Sequence, residues 1–358
     1  MVLIIFTTLI TLLDGMALQD AASKKLPPPR SLSMKVKGVS CLRVSTDSSI
    51  IGVSSTLTGV SLWRLPSGKK LHIVSDNSST TNTFTGDGKR FAFGEYVYDE
   101  AGLKWFGRVT VVDVASGKKL ATISDIISSP QELDCDPDSG VFGFLCTKLL
   151  QFEPPKQEIV FWDAKANKRS LTMKGRFDYF SFTAERSIFL TLDISNDGFV
   201  PNGRIPKECS LYFSQLPSGK EHLRLRSSAV SSLAVSQSRS ILATVGYKED
   251  TDVQIRDIVK HKHLGKLPRG AKGSPMMAFG LDDKVLACAE PDQTVVFWDL
   301  NKTKLIGIVK DAKYFSEKNP IRGLVFTPDG KLLITATEDG VVNFWEVKAY
   351  LEKRLRGT

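Results

Sequence analysis

One unit recurs seven times along this 358-residue chain: an apolar strand ending in an aromatic residue or its stand-in, a short polar turn, then a second short strand. The copies read "GVSLWRLPSGKKLHIV" (59–74), "RVTVVDVASGKKLATI" (108–123), "EIVFWDAKANKRSLTM" (158–173), "CSLYFSQLPSGKEHLRL" (209–225), "DVQIRDIVKHKHLGKL" (252–267), "TVVFWDLNKTKLIGIV" (294–309) and the shorter "GVVNFWEV" (340–347). Aligned on residues 63, 112, 162, 213, 256, 298 and 345, successive copies lie 49, 50, 51, 43, 42 and 47 residues apart. An interval of about 40 to 50 residues built from short strands is the period of a propeller blade, and few other folds accept it.

Each unit carries two further strands ahead of the aligned one. In the last copy they are "IRGLVFT" and "KLLITAT", split by "PDGK", and equivalent turns recur as "TDSS", "GDGK", "PDSG" and "LDDK". Asp and Gly supply the turn conformations, and the flanking Val, Ile, Phe and Leu favour strands. Helical periodicity is nearly absent. The sequence therefore predicts an all-β chain, a seven-bladed β-propeller of four-stranded antiparallel blades ending near residues 76, 125, 175, 227, 269, 310 and 347.

The seventh copy stops after its third strand. At the other end of the chain, "RSLSMKVKG" (30–38) resembles "RSLTMKG" (169–175), the outer strand of blade three. The N-terminal strand is expected to pair onto the last blade and lock the ring, removing an exposed edge. Residues 1–29 then form an apolar leader and Pro-rich linker, residues 30–347 the propeller, and "KAYLEKRLRGT" (348–358) a basic tail on the surface.

These repeats resemble the WD-repeat family. "WD" itself stands at 162–163 and 298–299, with degenerate forms elsewhere, so Trp63, Asp113, Trp162, Asp163, Asp257, Trp298, Asp299 and Trp345 are the structural repeat positions. The Gly-His pair usual in that family is missing from every blade, which leaves Asp292 and Asp339 without the histidine of the family's hydrogen-bond network. Blade cohesion is expected from sheet pairing and aromatic packing instead. The resemblance implies a scaffold or protein-interaction role and a monomeric propeller.

Charge and cysteine content set limits on partners. The formal net charge is +9, which points to acidic or anionic partners, although the lysines sit mostly in hairpin turns such as "SGKKL". They are spread over all blades without a stripe of stacking aromatics, so nucleic acid is a minor expectation. Five cysteines without CxxC spacing indicate neither a zinc knuckle nor a disulfide framework. The run Val2 to Leu13 is too short to span a bilayer as a helix but fits a signal-peptide core, with Gly15 and Ala17 as a cleavage site. No Lys or Arg precedes it, so a start at Met16 stays open. A signal peptide would make the protein periplasmic or cell-surface; without one it is cytoplasmic.

Loop length locates a candidate site. In an antiparallel blade with strands a to d, the a–b and c–d turns lie at one face and the b–c and d–a connections at the other. Blade two lengthens its b–c connection (96–108), as do blades three (149–157) and four (196–209), and a long d–a connection (311–320) precedes blade seven. All four fall on one face, where a repeat scaffold places binding residues. The candidates are Tyr96, Tyr98, Trp105, Phe106, Phe152, Phe199, Tyr314 and Phe315, interleaved with Lys104, Arg108, Lys156, Arg204 and Lys207, because aromatics with Arg are enriched in binding hot spots. The expected function is non-catalytic docking of a protein or peptide on this face, without cofactor. His261 and His263, at i and i+2, want a third ligand to hold a metal, and no catalytic motif is present. The competing expectation is a propeller enzyme or small-ligand or metal site at the channel mouth.

Overall fold

The computed structural model describes residue 26 and residues 28–357 apart from 35, 100–103, 125, 127, 129, 149–155, 178, 186–187, 194–207, 229, 247–250, 270–272 and 311–312. The leader's apolar run lies outside the described residues, as do Phe152, Phe199, Arg204 and Lys207.

Among the described residues, twenty-eight strands form seven four-stranded antiparallel sheets. β1 (Arg30–Ser33) is set apart from its sheet in sequence. Blade one is β2 (Val39–Val44), β3 (Ile50–Ser55), β4 (Gly59–Arg64) and β5 (Lys69–Ser75). Blade two is β6 (Thr81–Phe84), β7 (Arg90–Asp99), β8 (Lys104–Asp113) and β9 (Lys119–Ile123). Blade three is β10 (Pro130–Cys135), β11 (Val141–Lys148), β12 (Lys156–Asp163) and β13 (Lys168–Gly175), and blade four is β14 (Tyr179–Phe182), β15 (Ile188–Asp193), β16 (Glu208–Gln215) and β17 (Lys220–Ser228). Blade five is β18 (Val230–Val235), β19 (Ile241–Gly246), β20 (Val253–Asp257) and β21 (Lys262–Leu267). Blade six is β22 (Met276–Gly280), β23 (Val285–Ala289), β24 (Val295–Asp299) and β25 (Lys304–Val309). β26 (Ile321–Phe326), β27 (Leu332–Thr337) and β28 (Val341–Glu346) share a sheet with β1, which pairs antiparallel to β28 from Arg30 opposite Phe344 to Ser33 opposite Val341.

The aligned repeat position has a local structural meaning. In blades one to six the pairing of the third and fourth strands shifts by a residue at or beside it, at Leu62/Trp63, Val111/Val112, Phe161/Trp162, Phe213/Ser214, Ile255/Arg256 and Phe297/Trp298. A bulge at this point increases the twist of the outer strand, and its recurrence bends every blade alike. The Asp that follows caps the c–d turn: Asp163 accepts from the backbone N–H of Lys165 and Ala166, Asp257 from Val259 and Lys260, and Asp299 from Asn301 and Lys302. The "WD" pair is thus a bulge and a turn cap in succession.

The core lies between blades. Seven clusters of buried apolar side chains each join two successive sheets, from Leu62 with Phe91 between blades one and two round to Leu42 with Ile334 between blades seven and one. Between blades three and four, Phe161 meets Phe180 edge-on at 5.5 Å between centroids and Phe189 at 4.8 Å. Glycine allows this approach: a Cβ at Gly143 would lie 2.2 Å from Phe180 Cζ, and one at Gly52 2.3 Å from Phe91 Cε2.

Tryptophan hydrogen bonding differs blade by blade. Trp345 Nε1 donates to Thr335 Oγ1 at 3.1 Å and Trp63 Nε1 to Ser61 Oγ at 2.8 Å, whereas Trp298 Nε1 is buried without a hydrogen-bond partner. Asp339 has no histidine but accepts from Thr337 Oγ1 (2.8 Å) and the Val341 N–H (3.1 Å), while its own N–H donates to Asn319 Oδ1 (3.0 Å).

The C-terminal segment corrects an expectation. Instead of a basic appendage it forms helix α1 (Lys348–Gly357), with Leu351 fully buried and Tyr350 and Leu355 packed against the cluster between blades six and seven. Spacing explains it: Tyr350, Leu351 and Leu355 fall at i, i+1 and i+5, one stripe of a helix.

Candidate interaction face

The expected loop of blade two is a β-ribbon. β7 and β8 each run ten residues and stay paired to the tip, with Tyr96 opposite Gly107, Val97 opposite Phe106 and Tyr98 opposite Trp105. Alternating Tyr, Val, Tyr against Trp, Phe, Gly is a strand pattern, which favours pairing over an irregular loop. Tyr96 and Tyr98 are 40% and 42% exposed, both on one side of the ribbon. Phe106 is half-buried and Lys156, at the start of β12, is exposed.

A buried carboxylate fixes the ribbon's root. Glu95 is 1% exposed and accepts from Arg108 Nε (2.6 Å), Thr110 Oγ1 (2.6 Å), Asn77 Nδ2 (3.1 Å) and Ser75 Oγ. Burial pushes this carboxyl up, but the Arg108 guanidinium and the three side-chain donors outweigh it and hold the group below the usual carboxylate range. Arg108 was expected as a surface anchor; the structure commits it to Glu95 instead.

Phe315 is also corrected. It is 3% exposed, and both it and Tyr314 close over Trp345, at 5.5 and 5.4 Å between ring centroids. The long connection before blade seven folds its aromatics inward, and they cover the Trp345 indole, which is 3% exposed. Sequence cannot show that such a ring has a local acceptor. Of the predicted residues whose exposure is described, Tyr96, Tyr98 and Lys156 are the exposed ones.

Two ion-pair groups escaped the sequence. Arg269 and Glu290, with side chains 1% and 6% exposed, pair at 2.5 Å, and Arg269 also donates to the Thr251 and Gly273 carbonyls. They brace the connection from blade five to six on the same face. In the ring's centre, Asp134 of β10 accepts from both terminal nitrogens of Arg239 (2.5 and 2.9 Å), from Ser181 Oγ (2.9 Å) and from the Phe182 N–H (2.9 Å). Arg239 sits in the a–b turn of blade five, so this group ties blades three, four and five together. Glu132, two residues earlier on β10, is pushed up to about 7 by burial and by Asp134, against the pull of Arg43. "ELD" on an inner strand was the available signal: alternate residues of that strand face the channel.

The two histidines do not come together as ligands. His261 lies in a turn against the Phe213 ring, and His263 Nε2 is 3.0 Å from Gln254 Oε1. Among the described residues no three His, Cys, Asp or Glu side chains are grouped for a metal. Cys135, Cys146, Cys209 and Cys288 are buried free thiols, and burial pushes those of Cys135, Cys146 and Cys288 upward.

Comparison with known proteins agrees with this architecture. Residues 311–346 match the family model "WD domain, G-beta repeat". A chain of the crystal structure of the mitotic checkpoint complex superposes with a TM-score of 0.65 over 91% of this chain and 96% of that one, at 16% identity, a likeness of fold. In sequence the chain is similar to DDB1- and CUL4-associated factor 10 of Homo sapiens, 27% identical over 144 residues, and to its Xenopus tropicalis counterpart at the same identity. The match covers 40% of this chain but only 25% and 30% of those relatives. Seven four-stranded blades make this chain a seven-bladed β-propeller, and its seventh unit matches the WD-repeat family model.

Proposed function

We propose that the propeller is a non-catalytic interaction module that docks a protein or peptide on the face bearing the β7–β8 ribbon. The observation that carries this is the ribbon itself: two tyrosines displayed on a rigid projection whose root is fixed by the buried Glu95 network. Aromatic anchors held in place before binding gain affinity because little conformational entropy is lost on association. The channel charges support an enzymatic reading less well, since Asp134 and Arg239 are spent on one another.

The relatives are named for association with DDB1 and CUL4, which makes purified DDB1 the first partner to try. A photo-crosslinking residue at position 98, compared with one at position 120 on the outer strand of blade two, identifies other partners. Tyr96→Ala with Tyr98→Ala should then weaken the captured partner at least tenfold, as loss of two interface aromatics does. Unchanged affinity in the double variant would rule out this face.

A further inference from the structure

The opposite face carries the protein's charge. The a–b turns, the c–d turns with two flanking strand residues on each side, and α1 hold 22 Lys and Arg against 15 Asp and Glu among the described residues. That difference is +7, out of the +11 that all the described residues carry (40 Lys and Arg against 29 Asp and Glu). Eleven lysines stand in the six c–d connections, and all are exposed. Several of the acids are already committed to turn backbone: Asp113, Asp163, Asp257 and Asp299 accept from N–H groups of their own turns, as do Asp47 and Asp329. In the six c–d connections the eleven exposed lysines outnumber the five acids, Asp113, Asp163, Glu221, Asp257 and Asp299.

We propose that this short-turn face adsorbs to an anionic phospholipid surface. Three features favour lipid over other polyanions. Six blades end here in c–d turns of similar length, which sets their lysines side by side at one end of the sheets, a shape that meets a flat bilayer and not a groove. The cations are chiefly lysines, point charges suited to diffuse attraction, and the exposed aromatics Tyr96 and Tyr98 are on the other face, so base stacking has no platform. Instead Leu120 and Leu264, 53% and 50% exposed, follow the turn lysines at the rim, where an apolar side chain can enter the headgroup layer.

The chain also enters the ring from this side. Arg30 at the start of β1 donates to the carbonyls of Pro66 and Ser67 in the c–d turn of blade one, and Leu26 is buried in the same cluster as Leu281 of the blade-six a–b turn. The apolar run Val2–Leu13 and Lys24 and Lys25 precede that point in sequence.

The test is sedimentation of the full chain with vesicles of phosphatidylcholine alone or with 30 mol% phosphatidylserine, alongside poly-uridylate and poly-glutamate at equal charge. Binding is expected to the serine-lipid vesicles only, and to be lost when salt is raised to 0.5 M. Each lysine near an anionic bilayer contributes roughly fivefold in partitioning, so K69E, K118E, K165E and K302E together should lower it by at least about 100-fold. K310E with K318E, on the ribbon face, should leave it unchanged, and thermal melts check that both variants fold. No binding above the neutral vesicles, an equal loss in the ribbon-face variant, or tighter binding to either polymer would overturn the proposal.

Discussion

Replacing Asp134 by Asn probes how the ring is held at its centre. The carboxylate joins three blades: it lies on β10, accepts from Ser181 and Phe182 of β14, and receives two bonds from Arg239 of the blade-five turn. Asn keeps the shape and one acceptor but removes the charge opposite a guanidinium. A charge-assisted hydrogen bond contributes about 1.5–3 kcal/mol, and the side chains here are 16% and 21% exposed, so part of that is screened. We expect a loss of about 2 kcal/mol, read as a fall of roughly 3 °C in thermal midpoint for a chain of this length. The five tryptophans provide the fluorescence signal.

The pH dependence of that loss is the sharper check. Burial opposes ionisation at Asp134, but Arg239 outweighs it and holds the folded carboxyl below the usual range. Its contribution is therefore complete above the unfolded pKa near 4 and fades as pH falls through the folded value. Wild type and D134N should differ most at pH 6–7 and converge in strong acid. A difference that is absent at pH 7, or that persists unchanged at pH 2, would refute this account.

Other variants test separate parts of the structure. Glu132 titrates at about 7 in the folded ring, above its unfolded value, so wild type should lose stability relative to E132Q as pH rises from 4 to 7, with no further loss beyond; melts across that range decide it. Phe315→Ala removes a buried ring stacked on Trp345 and should cost about 3–4 kcal/mol in unfolding free energy, against almost nothing if Phe315 were a surface anchor. Leu351→Ala, at the buried centre of α1, should cost about 2–4 kcal/mol by the same measurement, a loss no free tail would show.

Much of the fold was legible because a propeller is written locally. Each blade is a run of neighbouring strands, so its period, its turn residues and its aromatic-acid pair all appear within 50 residues. The candidate site was less legible. Loop lengths pointed to one face; the β7–β8 ribbon carries exposed Tyr96 and Tyr98, whereas Arg108 pairs with the buried Glu95 and Phe315 is buried. Each had a partner that local sequence does not reveal: Glu95 lies across a hairpin from Arg108, and Trp345 lies thirty residues from Phe315. A polar or aromatic side chain chooses between solvent and core by what stands within about 4 Å of it, and no periodicity encodes that.

By itself the sequence determined the number of blades, the strands within them and the turns that end each one, since these rest on backbone propensity and patterning between near neighbours. Tertiary structure decided the rest. It brought Arg239 to Asp134 across 105 residues and turned a basic tail into a packed helix. The physical reason is closure: once seven sheets meet in a ring, residues distant in sequence share a channel or a face, and only then do their charges add.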